Sequence, residues 1–114
     1  MNVSKTPYYC GLDATIDVIG GKWKALILFE LGSGVRRFGE LRRAVVGISE
    51  KMLIEKLREL EASGLVHREA YPEIPPRVEY SLTQLGASLN ELLLPLCHWG
   101  ERHMSDIRTS RTCS

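Results

Sequence analysis

No uninterrupted apolar run approaches the ~20 residues that a membrane-spanning helix needs, and the opening Met1-Asn2-Val3-Ser4-Lys5-Thr6-Pro7 lacks the apolar stretch of a secretory signal. Both absences predict a cytoplasmic protein without membrane partners. Cysteine is scarce: Cys10, Cys97 and Cys113 form no CxxC pair, and an odd number argues against a closed disulfide framework. His67, His98 and His103 make no i,i+4 pair of the kind that builds a metal site on a helix, so no metal or other cofactor is expected. There is no GxSxG turn, glycine-rich phosphate loop or carboxylate dyad. Cys97 and His98 are neighbours whose side chains diverge by ~100° on a helix, which rules out a nucleophile and base pair. An enzyme is therefore not expected. A large excess of one charge is also missing, since 15 Lys and Arg oppose 14 Asp and Glu for a net charge of +1, which excludes a chain that holds nucleic acid by bulk charge.

The 114 residues are 44% hydrophobic and 25% charged, the balance of a single ordinary domain able to bury one core. Charge is clustered within it. Between Arg36 and Arg58, seven cations face three acids, giving +4 there and leaving −3 for the remainder, so one face can be basic on a near-neutral molecule.

Apolar spacing predicts the elements. Leu12, Ile16 and Ile19 share one helical face that ends at Gly20-Gly21. A second helix over Lys22 to Leu31 buries Trp23, Leu26 and Ile27 and stops at Gly32-Ser33-Gly34, with a short extended piece at Val35–Arg37 after it. Phe38, Leu41 and Val45 mark a two-turn helix; Gly47 breaks it and Ser49 caps the next, Glu50 to Ser63, which buries Leu53, Leu57 and Leu60. Alternation at Leu65–Tyr71 and Val78–Leu82 predicts two strands joined by the stiff Pro72-Glu73-Ile74-Pro75-Pro76 loop, a wing after a helix-turn-helix. Thr83 caps a last helix whose Leu82, Leu85, Leu89, Leu92, Leu96 and Trp99 step by three and four, with Pro95 expected to kink it. Leu93 and Leu94 widen that stripe beyond what a small domain can cover, so a second subunit is expected against it. Trp23 and Trp99 read as core or interface anchors. Residues 1–9 and 107–114 are expected to be flexible around a single domain over 10–106. The fold class is α+β, mainly helical.

Several motifs in order carry a resemblance: Asp17-Val-Ile-Gly-Gly-Lys-Trp-Lys24, Phe38-Gly-Glu-Leu-Arg42, Gly47-Ile-Ser-Glu-Lys-Met-Leu53, Leu57-Arg-Glu-Leu-Glu61, Gly64-Leu-Val66 and Tyr71-Pro-Glu-Ile-Pro-Pro-Arg-Val-Glu-Tyr80, then Leu82-Thr83. From about Cys10 to Gly100 the chain resembles the HxlR-type family of winged helix-turn-helix transcription regulators. The resemblance implies a homodimer joined through its N- and C-terminal helices and bound to a double-stranded DNA operator. Recognition helices would enter successive major grooves and wings the neighbouring minor grooves. The sequence departs from the family pattern at Val46 and Gly11, where proline is common, and at Ile54, where a small hydroxyl residue is common.

Helical angles place Lys51, Glu55, Arg58 and Ala62 opposite the apolar arc, with Met52 and Ile54 on its flanks. Lys51, Met52, Glu55 and Arg58 are thus expected toward bases, Arg58 reaching either a base edge or a phosphate. Arg42, Arg43, Ser49 and Arg77 are expected toward phosphates or the minor groove. For Arg77 the resemblance implies a minor-groove contact, against the alternative of an ion pair with Glu73 or Glu79. Leu12, Ile16, Leu89, Leu92, Leu96 and Trp99 are the expected dimer contacts. Cys10, at a position before the first helix where members of the family often have a cysteine that several use for sensing, is either a thiol sensor of electrophiles and oxidants or an inert packing residue. Cys97 is expected in the core. The effector is not readable. A winged-helix module that binds protein rather than DNA is the rival reading, supported by Glu50, Glu55, Glu59 and Glu61 on the fourth helix.

Overall fold

A computed structural model describes residues 7–107. Five helices and three short strands follow in the order α1 (Gly11–Ile19), α2 (Lys22–Leu31), β1 (Arg36–Arg37), α3 (Phe38–Ala44), α4 (Glu50–Ala62), β2 (Val66–Tyr71), β3 (Arg77–Leu82) and α5 (Gln84–His103). Local chemistry sets the boundaries. The Ser49 hydroxyl accepts the Met52 N–H at 3.1 Å and the Thr83 hydroxyl accepts the Gly86 N–H at 3.0 Å, satisfying amides that a helix start leaves orphaned. The Glu40 carboxylate accepts the Arg37 N–H at 2.7 Å and starts α3. At the end of α4, Gly64 takes φ +79°, a left-handed conformation open to glycine, and the Leu65 N–H returns to the Leu60 carbonyl at 3.0 Å.

The short extended piece expected at Val35–Arg37 is β1, and it joins the two expected strands of the wing as a third. β3 is central, pairing antiparallel with β2 from Val66↔Leu82 to Tyr71↔Arg77 and with β1 through Arg36↔Tyr80 and Arg37↔Glu79. β1 is only two residues long, too short for an alternation signal, and its partner lies more than forty positions away.

The core joins Ile27, Leu28 and Leu31 of α2 to Leu41, Val45, Ile48, the predicted Leu53, Leu57 and Leu60 of α4, and Leu65, Val66, Tyr80 and Leu93. On α2 the expected burial is corrected: Leu26 is exposed, Trp23 is half-buried against the core, and Leu28 and Leu31 are inside. The helix lies between α4 and α5 and also touches α1, α3 and β3, so its interior face is set by several neighbours rather than by one stripe. On α5, which continues through Pro95, only Gly86 and Leu93 are buried. Cys97 is half-buried rather than in the core. Residues 1–6 and most of the expected tail lie outside the described residues, but Tyr8 and Tyr9 are tied to α1 by bonds to Asp17 (2.7 Å) and Asp13 (2.9 Å).

Candidate nucleic-acid interface

α3, the turn at Gly47 (φ +93°) and α4 form the helix-turn-helix. Burial of Leu53, Leu57 and Leu60 at spacings of four and three fixes the rotation of α4, and the same rotation exposes Lys51, Glu55 and Arg58 on the opposite side. Ser49 spends its hydroxyl on the cap. Met52 does not project with its neighbours: it is half-buried against the core, because its position flanks the apolar arc and a flexible thioether fills the gap there. Arg42 and Arg43 are exposed on the last turn of α3, Arg42 lying 3.6 Å from the Glu50 carboxylate. Glu59 turns inward to Lys56 (3.3 Å) and to Lys24 of α2 (3.4 Å). Burial raises its carboxyl, but the hydrogen bonds from Lys56 and Lys24 outweigh that and hold it below the ordinary carboxylate value.

Beyond α4 stands the wing, with Ile74 fully exposed at its tip. Arg77 makes both of the ion pairs weighed for it, donating to Glu73 at 2.8 Å and to Glu79 at 3.0 Å, while its guanidinium lies 4.0 Å from the centre of the Tyr71 ring. Between α4 and the sheet runs a groove of about 550 Å³ with Phe38, Ile54, Val78 and Tyr80 among its walls and Glu50, Arg58, Glu61 and Arg68 at its charged edge. Ile54 and Arg58 also border an open concavity of about 710 Å³ on the outer side of α4, so the two surfaces are continuous. Arg68 was missed by sequence reasoning. Its signal was strand alternation, which puts it on the same side as buried Val66, with Tyr80 as its register partner.

The expected dimer contacts separate into two groups. Leu12, Ile16, Leu92, Leu96 and Trp99 are exposed, whereas Leu89 packs on the chain's own core. Cys10 is exposed at the cap position of α1, its carbonyl accepting the Ala14 N–H at 3.0 Å. Burial, followed by the nearby Glu101, raises the Cys97 thiol above its ordinary value and so keeps it protonated. Cys113 lies outside the described residues. Among the described residues no helix is long and apolar enough to cross a membrane.

Comparison with known proteins agrees with this geometry. Residues 18–108 match the HxlR-like helix-turn-helix family. The chain is 55% identical over 93 residues to an uncharacterized HTH-type transcriptional regulator, YkvN of Bacillus subtilis strain 168, a match covering 82% of this chain and 79% of that protein. Among solved structures it is similar to the redox regulator HypR in its reduced form, with 46% identity and a TM-score of 0.79 over 83% of this chain and 94% of that one. It is also similar to diamide-treated YodB from B. subtilis, with 34% identity and a TM-score of 0.68 over 82% and 93% of the two chains. The chain belongs to the HxlR-like helix-turn-helix family of transcriptional regulators.

Proposed function

We propose that the chain regulates transcription as a homodimer on double-stranded operator DNA, each subunit presenting the outer face of α4 to a major groove. The observation that carries this reading is the capped α4 itself. Its apolar arc is spent on the core, and Lys51, Glu55 and Arg58 stand exposed between the α3 arginines and the wing. Dimer formation rests on the exposed Leu12, Ile16, Leu92, Leu96 and Trp99, too many large apolar groups for two helices to leave in water. Two copies joined there would address half-sites about one DNA turn apart. The test is titration of the protein with a duplex enriched from a random-sequence pool, at several salt concentrations. Binding that weakens steeply with salt, at one dimer per site, is expected, because phosphate contacts release counterions. Salt-independent binding, or none, overturns the reading.

We infer further that thiol chemistry at Cys10 modulates this binding. Cys10 is exposed where α1 begins, next to exposed Leu12, and two of the similar proteins are a redox regulator and a diamide-treated regulator. Diamide is expected to change operator affinity of the wild type and of Cys97→Ser, and to leave Cys10→Ser unaffected; an unchanged response in Cys10→Ser removes the role.

A further inference from the structure

The sequence left Arg58 between a base edge and a phosphate, and the groove between α4 and the wing favours the second. Arg58 sits in the C-terminal half of α4, two turns beyond Lys51, whereas base reading falls to the N-terminal residues of a recognition helix. It shares the groove with Arg68 of β2, and both arginines are exposed without an ion-pair partner among the described residues. Two exposed guanidinium groups bordering one groove, neither of them ion-paired, can hold an anion there together. The two carboxylates there do not supply it equally: Glu50 is engaged with Arg42, leaving only Glu61. Ile54 and Val78, half-buried in the same groove, offer an apolar wall against which a deoxyribose ring can rest.

We propose that Arg58 and Arg68 together clamp a phosphodiester of the DNA backbone where it passes between α4 and the wing, a contact that positions the duplex without reading its sequence. The proposal rests on the DNA-binding reading above. On it Ile54 is a wall for the sugar, and Glu61 opposes the anion.

The experiment measures affinity and its salt dependence for the wild type, Arg58→Ala, Arg68→Ala and Arg68→Lys, on the pool-enriched duplex and on a duplex of unrelated sequence. Each alanine variant is expected to weaken binding on the order of tenfold on both duplexes and to lower the salt slope by about 1. Arg68→Lys keeps the slope, and Glu61→Gln tightens binding to both. Thermal unfolding of each variant should match the wild type, since both arginines are exposed. Unaltered binding by Arg68→Ala overturns the clamp alone, as does a change in base preference with Arg58→Ala. Saturable binding of inorganic phosphate by Arg68 without loss of duplex affinity in Arg68→Ala would assign the groove to a small anion instead. A wild-type chain that binds no duplex overturns the regulator reading itself, and the clamp with it.

Discussion

Arg77 has three partners for one guanidinium: Glu73 on the loop, Glu79 on the same strand and the ring of Tyr71 opposite it in register. Removing it leaves Glu73 and Glu79 without their cation at the loop end of the β2–β3 ladder. Because the group retains some solvent contact, Arg77→Ala is expected to cost only on the order of 1 kcal/mol in global stability. The wing amides from Tyr71 to Glu79 should nevertheless exchange hydrogen faster, and unchanged exchange there would show that the triple contact does not order the wing. Glu59 is the other residue whose surroundings the structure redefines. Its folded carboxyl is held down by Lys56 and Lys24, so the stability it confers is present above the unfolded value of about 4.3 and is lost as pH falls through the lower folded one. Glu59→Gln should therefore unfold at lower urea than the wild type at pH 7 and converge with it in acid; curves that stay parallel down to acid pH would contradict the assignment.

At the scale of elements, the seat of α5 on the wing depends on one missing side chain. The Thr83 N–H donates to the Leu65 carbonyl at 3.0 Å and its hydroxyl donates to the Gly64 carbonyl at 2.6 Å, drawing the first turn of α5 onto the start of β2. A Cβ at Gly86 would collide with the Leu65 carbonyl oxygen, a backbone atom that cannot turn away. Gly86→Ala, which would favour an isolated helix, is instead expected to destabilise the protein by roughly 1–3 kcal/mol, the range of overpacking in a tight site. A denaturation midpoint at or above the wild type would show that the contact relaxes freely.

For the whole molecule, the dimensions of 49 × 46 × 23 Å and a radius of gyration of 16.1 Å exceed the ~13 Å of a compact domain of about this length. The excess agrees with outer helices that leave Leu12, Leu92, Leu96 and Trp99 uncovered in a single chain. Neighbours on α5 separate the two kinds of burial. Leu93 is 8% exposed and Leu92 is 61% exposed. Leu93→Glu should unfold the subunit by burying an unpaired charge, whereas Leu92→Glu should leave it folded and shift it to monomer, with DNA affinity lost in parallel. Light scattering and circular dichroism on the two variants check this; a dimeric Leu92→Glu would place the interface elsewhere.

Period and punctuation alone determined most of the architecture. The bounds of α2, the cap at Ser49, the Leu53-Leu57-Leu60 arc and the glycine that ends α4 all follow from interactions within a few residues, and such interactions are written in adjacent positions. The outward row of Lys51, Glu55 and Arg58 followed from the same arc. Tertiary structure decided what depends on distant partners. It paired Arg36 with Tyr80 in a third strand, turned Leu28 and Leu31 inward because α2 is enclosed by several elements, and drew Met52 back to the core. It also gave Arg77 to Glu73 and Glu79 and brought Arg68 to the groove of Arg58. Local pattern specifies which face of an element is apolar, but the neighbour against which that face closes is chosen by the packing of the whole chain, and every one of these assignments turns on that choice.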